Sequence, residues 1–190
     1  MRLDIDQVQL KSGGHGSPKE GLCVMEAVAY IAREKHSDNP ECVSPVIGAF
    51  MRAWNDVLSD EDRQKLKALI PVIMDTRSTP EDEERRAWMA LDWVVREHTP
   101  AWLRLAGLIE QAERLEGLPR FRKGMDVPAI RLTLEAVRSD ADAAWAAAGA
   151  AAGAAAWDAA GDALRPTVEQ LQDSALHLVE RMAWLKDDDD

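Results

Sequence analysis

The chain has 190 residues, 46% of them hydrophobic and 30% charged, with a formal net charge of −11. That size and balance describe one globular domain with a real core and exclude a disordered chain. The negative charge argues against a general nucleic-acid binder, which needs a basic face for phosphate, and against attraction to an anionic membrane surface.

Residues 1–16 read as a flexible lead-in: Met1 to Gln9 is polar and acidic, without the apolar stretch of a signal peptide. Leu3-Asp4-Ile5-Asp6 is the single short alternating run that could form a strand. From there a repeated punctuation sets the architecture. Ser17-Pro18, Ser44-Pro45, Thr79-Pro80 and Thr99-Pro100 each place an N-cap residue before a proline at the first helical position. Ser17-Pro18-Lys19-Glu20 is also a capping box, and Ser59-Asp60-Glu61-Asp62 resembles one. Helices are predicted over 18–34, 45–58, 60–69, 80–97 and 100–115, with Pro128 and Pro166 opening two more over 128–163 and 166–185. The fold class is all-α: a bundle of six or seven helices in a single domain over 1–186. Seven tryptophans against two phenylalanines and one tyrosine suggest that indoles fill gaps between its helices.

Within 141–163 the composition collapses to alanine, glycine and tryptophan. Trp145, Gly149, Gly153, Trp157 and Gly161 recur every four residues, along one slowly drifting stripe of a helix. Each glycine costs a helix roughly 1 kcal/mol relative to alanine, so their recurrence suggests backbones in close approach. The stripe is a self-association seam or, on the blander reading, a repetitive tract packed inside its own monomer. The 15 residues between Asp142 and Asp158 are shorter than the ~18–20 a membrane span needs. In the last helix Val168, Leu171, Ala175, Leu178, Met182 and Leu185 alternate three- and four-residue steps, widened by Leu176 and Val179 into an ordinary core face. Residues 187–190 form an acidic tail and are set aside from the fold reasoning.

The chemistry concentrates in 12–56, which hold both cysteines, two of the four histidines and the only tyrosine. His15, Cys23, His36 and Cys42 carry zinc-binding atoms, but their spacing, H-x7-C-x12-H-x5-C, lacks the tight pairs of a finger or ribbon. No metal and no cofactor are expected. Cys42 precedes the helix starting at Pro45, where the dipole favours thiolate, with His36 and Asp38 in the same loop. Glu26 interrupts the apolar run around Val24 and Ala27, and Asp92 does the same between Leu91 and Trp93. Arg52 and Arg104 are the matching cations, either in a Glu/Asp–Arg network joining the helices or around a polar pocket. The binding candidates are therefore His15, Glu26, Tyr30, His36, Asp38, Arg52, Asp92 and Arg104. Cys42, His36, Glu26 and Asp92 are the residues a catalytic reading would need. Gly16 and Gly21 have the spacing of a P-loop, but Leu22-Cys23 stand where Lys-Ser/Thr is required.

Lys11-Ser12-Gly13-Gly14-His15, Cys23 to Tyr30, and Ser37 to Ile47 resemble a helical family of predicted proteins from actinobacteria and their phages. Arg86 to Trp93, Thr99 to Ala106 and the Ala/Trp tract continue the similarity. The resemblance implies a bacterial or phage intracellular protein and supplies no catalytic residues. The expectation is a cytoplasmic, non-enzymatic binding or assembly module, homo-oligomeric through the small-residue helix and recognising a protein partner through 12–56. A phage inhibitor of a host protein is one version. The alternative is a small-molecule enzyme or sensor whose pocket joins residues of 12–56 to Asp92.

Overall fold

The computed structural model describes residues 8–125, 127–149 and 155–185; side chains within 144–163 lie outside the description, as does the strand expected at Leu3–Asp6. The fold is all-α, a multi-helix bundle. The elements are α1 (Val24–Ala32), α2 (Pro45–Val57), α3 (Asp60–Arg63), a 3-10 turn (Gln64–Leu69), α4 (Ile70–Ile73) and α5 (Pro80–Trp93). A π-turn (Val94–His98) leads into α6 (Thr99–Leu105), followed by α7 (Ile109–Glu116), α8 (Val127–Gly149) and α9 (Ala155–Ala183). No described helix is long and apolar enough to cross a membrane.

Two compact units share the chain. The first runs from the described N-terminal residues to Ala87 and regains the chain from Leu176. Its centre is α1, buried from Val24 to Ala29. A helix apolar on all sides has to be surrounded. Ile47 and Met51 of α2, Leu66 and Leu69 of the 3-10 turn, Ile70 and Ile73 of α4, and Leu178, Val179 and Met182 of α9 complete that unit's core. Arg86 is buried in it, donating to Met182 O (2.9 Å), Ser78 Oγ (2.8 Å) and Glu83 (2.7 Å). Glu83 in turn accepts from the Ser44 hydroxyl that caps α2.

The second unit, Trp88–Ala175, has its own core of Val95, Leu103, Ala112, Leu115, Phe121, Ile130 and Val137, against which Trp88 and Leu134 pack. The last helix keeps the expected core face: Leu171, Ala175, Leu178 and Met182 are all buried.

Ser44, Ser59 and Thr79 each accept the amide hydrogen bond expected of an N-cap. Three boundaries differ from the sequence expectation. Residues 18–20 form a turn and α1 starts only at Val24, capped by Cys23 and Glu26. The reason is a short parallel bridge between Leu10 and Leu22, with Lys11 N donating to Leu22 O at 2.9 Å, which holds the chain extended just before the helix. Thr99-Pro100 does not start a new helix: the backbone runs on from Trp93, and the π-turn absorbs the proline as Thr99 Oγ1 donates to Val94 O (2.7 Å). The break comes instead at Gly107, whose φ of +78° closes α6 while Gly107 N and Leu108 N bond the carbonyls of Arg104 and Leu103. Pro166, expected to open a helix, lies inside α9. Burial of the stripe that follows it outweighs the ~3 kcal/mol a proline costs a helix interior.

The same helix-ending geometry closes α1, but with Arg33 in the left-handed position (φ 61°). Arg33 is exposed, so its side chain offers little in return for the strained backbone. Arg33→Gly is expected to raise the unfolding free energy by about 0.5–1 kcal/mol, read from the urea midpoint; a loss of stability would show that the arginine side chain matters more than its backbone.

Candidate functional site

The first unit gathers His15, Glu26 and His36 around one carboxylate. Glu26 is 2% exposed and sits at the third position of α1, where the helix N-terminus favours an anion. Its Oε2 accepts from Cys23 N (2.8 Å) and lies 2.8 Å from His15 Nδ1. Its Oε1 accepts from His15 N (2.6 Å) and lies 3.6 Å from His36 Nε2. Burial by itself would raise the Glu26 pKa, but the two amides and the His15 ring hold it below the ordinary carboxylate range. The carboxylate is therefore ionised, and His15 Nδ1 carries the proton it shares. His36 Nε2 is 2.8 Å from His15 O, and since a carbonyl only accepts, that nitrogen carries a proton too.

The segment preceding α1 is held by side chains that replace a β ladder. Gln64 accepts from Leu10 N (2.9 Å) and donates to Leu10 O (3.0 Å). Asn55, fully buried, accepts from Val24 N (3.2 Å) and donates to Lys11 O (2.9 Å), while Asp56 accepts from Gly13 N (2.7 Å). Gly21 allows the closure: at its φ of +149°, a Cβ would stand 2.7 Å from Lys11 Cδ and 2.8 Å from His15 Nε2.

The cysteines serve this framework. Cys23 caps α1, its sulfur accepting from Glu26 N at 3.4 Å; burial, with the nearby Glu26 charge, pushes the thiol up to about 12. Cys42 is pushed up to about 11, first by burial and then by hydrogen bonding to Glu34. The dipole of α2 was expected to favour its thiolate; desolvation and the Glu34 carboxylate override that. Glu34 also accepts from Glu41 N (2.5 Å) and Cys42 N (2.9 Å), so it closes the loop between α1 and α2. Among the described residues no cluster of three or more His, Cys, Asp or Glu has the geometry to hold a metal ion.

The remaining candidates disperse. Tyr30 is exposed on α1. Arg52 donates to Asp38 O (3.0 Å) and Asn39 (3.4 Å), with the Asp38 carboxylate 4.0 Å away. Asp92 belongs to the second unit, where it pairs with Arg96 (3.3 Å) and accepts from Phe121 N (2.8 Å). Arg104 pairs with Glu116 at 2.6 Å. The expected network thus divides into local pairs, and the cations serve Asp38 and Glu116 in place of Glu26 and Asp92. Trp145, Gly149, Gly153, Trp157 and Gly161 fall where side chains are not described.

Sequence reasoning overlooked Asn55, although it follows Ile47 and Met51 at four-residue steps on the buried face of α2. It also passed over a relay in the second unit, where Trp93 Nε1 donates to Ser174 Oγ (2.7 Å) and Ser174 donates to Glu97 (2.5 Å). Beside it, the His98 ring packs against Trp93 at a tilt of 43° with ring centres 5.1 Å apart and accepts from Trp102 Nε1 (3.2 Å). Burial lowers the His98 pKa, keeping that ring neutral. No family model, curated protein or solved structure matches the chain.

The Glu26 pKa is depressed in the folded state, so its contribution is complete above the unfolded carboxylate range. It is lost as pH falls through the lower, folded value. Glu26→Gln turns an amide N–H toward one of the two backbone donors, Cys23 N or His15 N, and is expected to cost about 2–3 kcal/mol at pH 7. The gap in urea stability between wild type and variant should shrink from pH 6 to pH 3, and a gap independent of pH would show that the charge is not what holds the site. The thiols give a second check. At pH 8 both cysteines should react with a disulfide reagent at least ~100-fold more slowly in the native protein than in urea. Rapid labelling of Cys42 would contradict the raised thiol.

Proposed function

We propose that the chain is a non-enzymatic helical binding and assembly module whose partner is a second copy of itself. One observation carries the reading. Leu91, Val94, Trp102, Leu105 and Ile109, along α5, the π-turn, α6 and the start of α7, are 37–44% exposed. Leu91 and Val94 are three residues apart, as are Trp102 and Leu105, a spacing that keeps each pair on one side of its helix. Exposed apolar pairs of this kind favour a protein partner over water.

A second copy is the occupant because the same chain carries the Trp145–Gly161 stripe, whose small residues suit close approach by an apolar ridge. The chemistry of the first unit supports a non-catalytic role. The Glu26 oxygens are taken up by the protein's own donors, and both thiols are held protonated at neutral pH. None of these groups is poised as a nucleophile or general base.

Copies that each carry −11 repel one another, and salt screens that repulsion. Native mass spectrometry should show more than one subunit. In solution, association should strengthen as salt rises from about 0.01 to 0.15 M and the Debye length falls from about 30 to 8 Å. Leu91→Glu with Val94→Glu should return the protein to a monomer, and so should Gly149→Leu with Gly153→Leu. A wild-type monomer at every salt concentration would overturn self-association; a basic protein, toward which the charge steers, would then be the occupant to seek.

A further inference from the structure

A cleft of about 520 Å³ lies within the second unit, walled by the π-turn and α6 on one side and the Thr167–Ser174 stretch of α9 on another. Its volume is within the range of small-ligand sites. Its lining combines two guanidiniums, Arg96 and Arg104, two carboxylates, Glu97 and Glu116, and an apolar part supplied by Leu105 and Leu171. The four charges sum to zero, so a purely anionic or purely cationic ligand would meet as much repulsion as attraction. A ligand with one charge of each sign can complement both.

These groups keep bonding capacity after their internal contacts. Arg104 engages Glu116 through Nε and Nη2, leaving Nη1. Arg96 engages Asp92 through Nη1, leaving Nη2. Glu97 holds Ser174 through Oε2, leaving Oε1. Ser174 is itself fixed by the Trp93 indole, so the Glu97 carboxylate is held before any ligand arrives. Between Glu97 and Arg104 lie seven helical steps, about 10 Å at ~1.5 Å each. Three extended residues span a similar length at ~3.3–3.6 Å each. A single amino acid, at one residue's length, spans less than this backbone separation.

We propose that this cleft binds short peptides with free ends, the N-terminal ammonium on Glu97, the C-terminal carboxylate on Arg104, and an apolar side chain against Leu105 and Leu171. The site shares Leu105 with the proposed assembly surface but needs no second copy.

Titration calorimetry with leucyl-glycyl-leucine tests it, beside the N-acetylated peptide, the C-terminal amide and free leucine. The free tripeptide should bind saturably. Blocking either end, or shortening to leucine, should weaken binding by about tenfold or more, the loss of one charge-assisted contact. Glu97→Gln should weaken the free peptide about tenfold and leave the N-acetylated one unchanged; Arg104→Gln should do the same for the free peptide against the amide. Glu97 and Arg104 are exposed, so both variants are expected to fold, which far-ultraviolet circular dichroism checks. No binding of the free tripeptide at millimolar concentration would overturn the proposal, and so would blocked peptides binding as tightly as the free one.

Discussion

A charge 2% exposed inside a small helical unit is the constraint around which the first half of this protein is arranged. Unpaired, the Glu26 carboxylate would cost several kcal/mol, so the chain must bring donors to it. It does so from two places, the amide of Cys23 at the start of α1 and the amide and ring of His15, while the ring of His36 beyond the end of α1 lies 3.6 Å away and bonds His15 O. One ionised group thereby sets where α1 begins, how the preceding loop folds back and where the following loop is placed. The residues that look most like a reactive cluster are the ones this constraint consumes.

The same device recurs where loops lack secondary structure of their own. Gln64 mimics a strand neighbour for Leu10, Asn55 bonds Val24 and Lys11, Glu34 collects the amides of Glu41 and Cys42, and Asp92 holds Phe121. These amides find side-chain acceptors where no backbone carbonyl is in reach, because a buried amide cannot be left unpaired. The cost falls on chemistry: a carboxylate bonded to two amides is a poor base, and a thiol facing such a carboxylate stays protonated. In the second unit the charged side chains of the cleft are bound less completely, and there capacity for an outside ligand remains.

Much of the fold was legible in local pattern. Ser44, Ser59 and Thr79 act as the caps their sequences announce, and Leu171, Ala175, Leu178 and Met182 turn inward as their spacing requires. These are short-range effects, in which a hydroxyl bonds an amide two or three residues on and an apolar stripe seeks burial. The misplaced boundaries share one cause. Ser17-Pro18 carries the same cap signal as Ser44-Pro45, but the bridge between Leu10 and Leu22 extends the chain past it. Thr99-Pro100 carries it as well, but a π-turn admits the proline without ending the helix.

Of the candidate site, the sequence by itself determined that Glu26 would be buried, because apolar neighbours on both sides leave a helix no wetter face for it. It also determined the helical class, through its caps, its prolines and its three-to-four-residue apolar spacing. Tertiary structure alone decided the partners. His15 and His36 lie 11 residues before and 10 after Glu26, and nothing in local spacing says that both rings turn toward it. Glu97 and Ser174 are separated by 77 residues and meet only because α9 packs beside the π-turn. Caps and stripes act over a turn of helix, where sequence separation and distance go together; a binding site is made across chain ends and loops, where they do not.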